Sequence, residues 1–262
     1  MSNFESLLSR NSASSMSNPD ISVIIPVLNE AGAIIPLIME ISRVLTGKIK
    51  HEIIVVDDGS TDATPTLLLG LINNPELKLR VIRHLKNYGQ SAALYTGIQV
   101  ARTSWIVTMD GDGQNNPEDV MKLLNARDNS AIPELKAICG YRKKRQDTIV
   151  KIISSRVANY IRGFLLQDMT PDTGCGLKLL NRDTFLNLPY FDHMHRFIPA
   201  LIRRAGFNVV SIQITHRPRT AGQSKYGVID RLCAGIIDLI GMLWLIRRCK
   251  IPTKEEIHIY DY

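Results

Sequence analysis

An α/β fold built on a largely parallel sheet follows from three features of this 262-residue chain. Short apolar runs rich in Ile and Val recur through its first half. Each is followed by a segment long enough for a helix, so strands alternate with helices and neighbouring strands connect through right-handed crossovers. Two of the runs stop abruptly in paired acids: His51-Glu52-Ile53-Ile54-Val55-Val56 in Asp57-Asp58, and Ile106-Val107-Thr108-Met109 in Asp110-Gly111-Asp112. Acids at strand ends lie where such folds bind ligands, in the crevice beyond the carboxyl edge of the sheet.

Residues 1–19, rich in Ser and Asn, have neither the apolar centre of a signal peptide nor a hydrophobic period, and read as a disordered leader. Ile21-Ser22-Val23-Ile24-Ile25-Pro26 is a buried strand closed by a proline, which cannot continue the ladder. Val27-Leu28-Asn29-Glu30 loops into a helix over about Ala31 to Thr46. After the second strand, Ser60 or Thr61 can cap a helix whose positive first turn suits Asp62. A third strand, Leu79 to Arg83, leads through Asn87-Tyr88-Gly89 to a helix whose Ser91, Ala92, Ala93 and Gly97 allow close packing on the sheet. The fourth strand is the run ending at Asp110. A fifth, Ile138 to Arg142, opens the basic run Arg142-Lys143-Lys144-Arg145, read as a solvated loop or a contact with anionic headgroups. An amphipathic segment from Ile149 to Leu166 carries Arg156 and Asn159.

Further on, His193 and His195 stand at i, i+2, a spacing that suits zinc poorly on a helix, and His195 is expected to pack or to cap the helix through Ala200 and Leu201. From Val228 to Ile246 apolar residues dominate, with Trp244, Arg247, Arg248 and Lys250 clustered at one end. This reads as one or two helices in a membrane interface, with the aromatic and the cations at headgroup level. The alternative is a terminal helix packed on the core or against a second copy in a homo-oligomer. No run reaches the roughly 18 to 20 apolar residues that span a bilayer.

Composition narrows the function classes. A formal charge of +7 and a pI near 9.3 imply an anionic partner: nucleic acid, phosphates or an acidic membrane surface. The basic residues are not interleaved with aromatics on a recognisable RNA or DNA module, so nucleic acid is the poorer choice. Four cysteines without Cys-x-x-Cys spacing point to a reducing compartment and no structural zinc. The chain has neither a Gly-x-Gly-x-x-Gly after its first strand nor a P-loop, which disfavours a dinucleotide fold and a P-loop NTPase.

Asp110, Asp112 and Gln114 form a hard-oxygen set suited to Mg²⁺ or Mn²⁺, which keeps water or phosphate among its ligands. Gly111 and Gly113 let the backbone turn and approach a ligand closely. A solvated Asp-Gly turn is the bland alternative. If both acid-tipped strands line one crevice, Asp57, Asp58, Asp110 and Asp112 repel one another, and a cation with a bound nucleotide gives a reason for the cluster.

Pro26-Val27-Leu28-Asn29-Glu30, Asp57-Asp58-Gly59-Ser60-Thr61-Asp62-Ala63-Thr64 and Asp110-Gly111-Asp112-Gly113-Gln114, in that order, resemble the signature of family 2 glycosyltransferases with the GT-A fold. The downstream half is similar to the polyprenyl-phosphate glycosyltransferases of the dolichyl-phosphate mannose synthase type. The resemblance implies a catalytic domain over residues 20–215, a mobile donor-site loop over 216–227, membrane-interface helices over 228–250 and a polar tail over 251–262. It implies that Pro26, Asn29, Glu30, Val56 and Asp58 hold the nucleoside, with Leu28 and Asp57 beside them, and that Asp110, Gly111, Asp112 and Gln114 form the metal and diphosphate site for Mg²⁺ or Mn²⁺. Arg142 and Arg156, with Asn159 near, would bind the acceptor phosphate. Arg196, Arg219 and Lys225 would be aimed at the donor, and Gly222 would be the hinge of the Arg-x-x-Gly-x-Ser-Lys loop. Asp172-Thr173-Gly174-Cys175-Gly176-Leu177-Lys178 looks like the family's acid-and-glycine loop before a late strand, where Asp172 could bind a sugar hydroxyl or form a structural turn. Catalysis would rest on Asp112, Arg142, Arg156, Arg219 and Lys225.

The implied activity is inverting transfer of a sugar from a nucleotide diphosphate sugar, of the GDP-mannose type or similar, to a dolichyl- or undecaprenyl-phosphate type of carrier. The implied location is the cytoplasmic face of an anionic membrane, by peripheral attachment. A family member acting on a hydroxyl acceptor, and a basic nucleic-acid-binding module, are the alternatives.

Overall fold

A computed structural model describes residues 18–142, 162–166, 168, 170–215, 217–218 and 228–248, with the side chains of the last helix from residue 235 onward. Its centre is a seven-stranded sheet of order β3-β2-β1-β4-β6-β5-β7. The strands are β1 (Ile21–Val27), β2 (His51–Asp57), β3 (Leu79–Arg83), β4 (Trp105–Thr108), β5 (Leu135–Arg142), β6 (Lys178–Asn181) and β7 (Asn208–Ile214). All pairings are parallel except those of β6, which runs antiparallel to β4 and to β5. The parallel strands therefore present their carboxyl ends at one edge, and β6 contributes its amino end, Lys178, to that same edge.

Both faces of the sheet are covered, which is why β1 and β2 read as nearly continuous apolar runs. Alternate residues serve opposite cores. Val23, Ile25, Ile53 and Val55 pack with α1 (Ile34–Leu45), α2 (Thr64–Ile72) and α4 (Asp119–Asp128). Ile24, Ile54 and Val56 pack with α3 (Gln90–Val100), α6 (Arg182–Leu186) and α7 (Ile198–Arg204). Residues 162–166 are helical and are labelled α5. The close packing expected of α3 is met at Gly97, where an added Cβ would lie 2.5 Å from Ile24 Cγ2 and 3.1 Å from Val56 Cγ2. Overpacking of that kind costs about 1–3 kcal/mol.

One local expectation needs correction. Neither Ser60 nor Thr61 caps α2, whose N-cap is Ala63 with no side-chain cap bond. Ser60 Oγ instead accepts from the Asn29 amide at 2.8 Å, and the Thr61 amide donates to Asn29 Oδ1 at 2.7 Å. Asp62 is the residue that serves the helix start, accepting from the Thr64 amide at 2.9 Å.

The terminal apolar run is one helix, α8 (Val228–Arg248). Its inner face joins the core: Met242 is buried, and Leu239, Leu243 and Ile246 pack against the α3 and α7 side. Asp238, polar within this run, accepts from His193 Nδ1 at 2.9 Å, so it fastens the helix to the loop before α7. The outer face leaves Ile236, Ile237, Ile240 and Trp244 exposed. The core-packed reading thus holds for the inner stripe of α8, while its outer stripe is exposed. Among the described residues, no helix is long and apolar enough to cross a membrane.

Candidate active site

The strand order places β2 and β4 on opposite sides of β1, which creates a topological switch point at the carboxyl edge, the position where open α/β sheets bind ligands. Register brings Pro26 beside Val56 and Val27 beside Asp57. The first two motifs are then laced together. Besides the Asn29 contacts, the Glu30 amide donates to Thr64 Oγ1 at 2.9 Å and the Ala31 amide to Asp62 Oδ2 at 3.2 Å. Asn29 sits in left-handed backbone with φ 54, which asparagine tolerates better than most residues.

The two acids of the second motif are occupied. Buried Asp57 accepts from the Ser60 amide at 3.0 Å and pairs with Arg83 Nε at 3.3 Å. Asp58 accepts from the Tyr88 amide at 2.9 Å and the Gly89 amide at 2.8 Å, with His84 Nδ1 at 2.7 Å and His84 Nε2 in turn 3.0 Å from Thr96 Oγ1. Asp58 therefore shapes the loop that leads into α3. Arg83 and His84 were not anticipated from sequence, because their partners lie a strand away.

The third motif is shaped by its neighbours. The Asp110 amide donates to Asn115 Oδ1 at 3.1 Å and the Gln114 amide to Asp112 Oδ1 at 3.1 Å, which closes the turn on itself. Gly111 lies flush on the end of β1, where a Cβ would sit 2.6 Å from Val27 Cγ1. Gly176 lies against Asp110 in the same way, and a Cβ there would overlap the Asp110 carboxylate itself. Thr108 Oγ1 fixes this approach by donating to the Gly176 carbonyl at 2.6 Å. Gln90 Nε2, from the start of α3, donates to Asp110 Oδ1 at 2.9 Å.

Burial, and then the charge of Asp112, push the Asp110 carboxyl above its usual range, while Lys178 and Arg142 pull it down. Among the described residues, no group of three or more His, Cys, Asp and Glu could hold a metal ion. Two carboxylates whose shared charge is costly, with an amide nearby, nevertheless fit a hard divalent ion that takes its other ligands from water or phosphate.

At the end of β5, Arg142 and Asp172 form a two-pronged pair, Nε to Oδ2 at 2.7 Å and Nη2 to Oδ1 at 3.0 Å. Burial opposes the charge on Arg142, but the hydrogen bonds and charge of Asp172 outweigh it and raise its pKa further. The loop carrying Asp172 is anchored from behind by Arg162, whose guanidinium pairs with buried Asp168 at 2.5 and 3.1 Å. Cys139 and Cys175 are buried thiols; burial pushes Cys139 up to about 12 and raises Cys175 as well.

The root of the expected donor loop is fixed on the same edge. The Thr215 amide donates to buried Asp119 at 2.8 Å, and the Arg217 amide donates to the Gln114 carbonyl at 3.1 Å. The Arg217 side chain reaches both oxygens of Glu40 at 2.9 Å and Asn116 Oδ1 at 2.5 Å. Arg156, Asn159, Arg219, Gly222 and Lys225, and the basic residues 143–145, lie outside the described residues. Leu28 is half-buried on the β1 loop, and Arg196 is half-buried at the end of a short 3₁₀ turn, Met194–Arg196.

His195 packs, as expected, with its Nδ1 2.8 Å from Ser91 Oγ, and that oxygen also accepts from the His195 amide at 3.2 Å. Burial first, then the charges of Arg196 and Lys178, lower its pKa to about 3. Above the ordinary histidine value of about 6.5 it is neutral folded or unfolded; below that, the unfolded chain takes the proton and the folded one does not. Stability should therefore fall on acidification from pH 7 to 5, by up to about 2 kcal/mol from this group. Urea unfolding at the two pH values checks this, since His195→Gln should flatten the difference.

Comparison with known proteins follows the same lines. The model described as Glycosyl transferase family 2 matches residues 22–188. A dodecaprenyl-phosphate galacturonate synthase of Rhizobium johnstonii is 34% identical over 87% of this chain and 68% of its own length. An undecaprenyl-phosphate 4-deoxy-4-formamido-L-arabinose transferase of Pectobacterium carotovorum is 29% identical over 91% of this chain and 69% of its own. Among solved structures, glucosyl-3-phosphoglycerate synthase of Mycobacterium tuberculosis, in complex with Mn²⁺, UDP and glucosyl-3-phosphoglycerate, superposes with a TM-score of 0.65 at 20% identity. It covers 90% of this chain and 81% of that one. The fold, a mostly parallel mixed sheet flanked by helices, is the GT-A fold expected from the motifs.

Proposed function

The chain belongs to glycosyl transferase family 2, whose model spans well over half of it, and we propose that it transfers a sugar from a nucleotide diphosphate sugar to a polyprenyl phosphate, with inversion. The single observation that carries the choice of acceptor is the Arg142–Asp172 pair. A hydroxyl acceptor needs a carboxylate base, and Asp172 was the visible candidate in the sequence. That carboxylate has both oxygens engaged by charge-assisted hydrogen bonds from Arg142, which makes it a poor base for a hydroxyl. A phosphate monoester needs no base, because its second pKa of about 6 leaves it largely ionised near neutrality.

The chemistry of the site follows from these groups. Asp172 grips the Nε side of Arg142, which leaves Nη1 to meet an incoming phosphate oxygen. Pro26, Leu28, Asn29 and Glu30 line the pocket for the nucleoside, with the Val56 side chain buried behind it and Asp57 and Asp58 holding its walls. Asp110 and Asp112, with the Gln114 amide, would hold Mg²⁺ or Mn²⁺, which supplies neutralisation of the charge that builds on the diphosphate as the sugar bond breaks. Arg196 is a further cation for the donor. Arg217 and Thr215 fix where the chain leaves the sheet toward Arg219 and Lys225, which are proposed to reach the diphosphate, while Arg156 and Asn159 are proposed to complete the acceptor site.

The exposed Ile236, Ile237, Ile240 and Trp244 stripe of α8, ending in Arg247 and Arg248, is proposed to rest on the anionic cytoplasmic face of the membrane where a lipid-linked acceptor is found. The names of the two relatives extend the donor choices from mannose to galacturonate and a formamido pentose. A donor panel of GDP-mannose, UDP-glucose, UDP-N-acetylglucosamine and UDP-galacturonate, incubated with polyprenyl phosphate and Mn²⁺, tests the proposal. Label should pass from one donor into the lipid extract; transfer from none of them, with hydrolysis alone, would overturn it.

A further inference from the structure

We propose that Lys178 is a resident cation of the metal site, a positioning residue that steadies Asp110 and weakens the hold of the carboxylates on a divalent ion. The inference rests on the reading of Asp110 and Asp112 as metal ligands, which nothing about Lys178 itself presupposes. Lys178 opens β6 at the carboxyl edge, opposite Thr108 of β4 and Cys139 of β5. With strands on both sides it is only 4% exposed. Its Nζ donates to the Cys175 carbonyl, and the next residue, Gly176, lies flush on the Asp110 carboxylate with its own carbonyl held by Thr108.

A carbonyl satisfies a hydrogen bond of a buried ammonium but does not neutralise it, and among the described residues no carboxylate pairs with Lys178; such a charge is costly unless an anion is near. Asp110 is the nearby anion by geometry, because the residue after the carbonyl that holds Nζ, Gly176, lies flush on its carboxylate. The apo site then sets Asp110, Asp112 and Asp172 against Lys178 and Arg142, one negative charge in excess. A divalent ion arriving at Asp110 and Asp112 enters the field of a lysine that cannot move out to solvent. Repulsion between like charges in a poorly hydrated site changes affinity by about tenfold or more. The consequence is an ion held firmly only when a diphosphate adds its own oxygens, and released with it.

The test is Mn²⁺ binding to the full chain without nucleotide, followed by electron paramagnetic resonance of the remaining free ion, together with thermal unfolding with and without Mn²⁺. Lys178→Met should melt lower than the parent without metal, bind Mn²⁺ about tenfold or more tightly, and gain more in Tm on adding it. Lys178→Arg should behave like the parent. A lysine with a merely structural role would also give a less stable protein, but one with equal or weaker Mn²⁺ binding, and that binding result for Lys178→Met overturns the proposal. Should Lys178→Met fail to fold, Lys178→Gln, which keeps a donor for the Cys175 carbonyl without the charge, carries the same expectation. Asp112→Ala in both backgrounds separates the two levels. If it binds Mn²⁺ as its parent does, the ligand assignment fails; if it loses binding while Lys178→Met is not tighter, the role of Lys178 alone fails.

Discussion

Asp112→Ala is expected to reduce sugar transfer by about 10³-fold or more, the scale of removing a group that organises charge stabilisation at the reacting centre. The same substitution should leave the fold intact. Asp112 lies in a turn beyond β4, not in the ladder, and its main visible service is to accept from the Gln114 amide. Removing its charge relieves Asp110 of a like-charged neighbour. The apo protein should therefore unfold at the same temperature as the parent or slightly above it, so that activity and stability move apart. Calorimetry beside a transfer assay reads both quantities. Near-normal transfer by Asp112→Ala without metal would rule out the metal mechanism.

Gly176→Ala should lose activity by about 10²-fold, through a different route. The added methyl occupies the place of the Asp110 carboxylate, and Asp110 can rotate away more cheaply than the strand can shift. Stability should drop by about 1–3 kcal/mol, as for other overpacked sites, while the metal ligand is displaced from its productive position. Gly70→Ala in α2 is the matched control. Nothing lies within 4 Å of its added Cβ, so it should gain up to about 1 kcal/mol from helix propensity with unchanged transfer. If Gly176→Ala transferred sugar at the parental rate, Asp110 would not be needed where the structure places it.

Much of this molecule was legible from residue pattern. The buried strands β1 and β2 announced themselves as apolar runs because both of their faces are covered, and the acids that end β2 and β4 sit on one edge because the strands are parallel. Close packing at Gly97 was readable from the small residues of α3, whereas Gly111, read as a close approach to a ligand, lies against Val27 of β1. What was not legible depends on pairings across the sheet. Lys178 closes the acid-and-glycine loop in sequence, and nothing in the pattern marks it as buried until β6 is found between β4 and β5. Asp58 reads as a ligand for the nucleoside, yet its oxygens are engaged by His84 and by the amides of Tyr88 and Gly89. Asp172 and Arg142 were assigned to a sugar and a phosphate separately, and only their distance reveals them as one unit. The α8 stripe gave two readings because a helix with a docked face and an outward apolar face has too little polar surface to mark which is which.

The acceptor is where the account is most exposed. The direct measurement offers the enzyme one labelled nucleotide sugar, Mn²⁺, and either a polyprenyl phosphate or the same polyprenol without its phosphate, in identical detergent. Label should enter the lipid extract with the phosphate and stay at background with the alcohol. Equal transfer to both lipids, or transfer only to a soluble hydroxyl acceptor, would contradict the reading of Arg142 and Asp172 as a phosphate clamp.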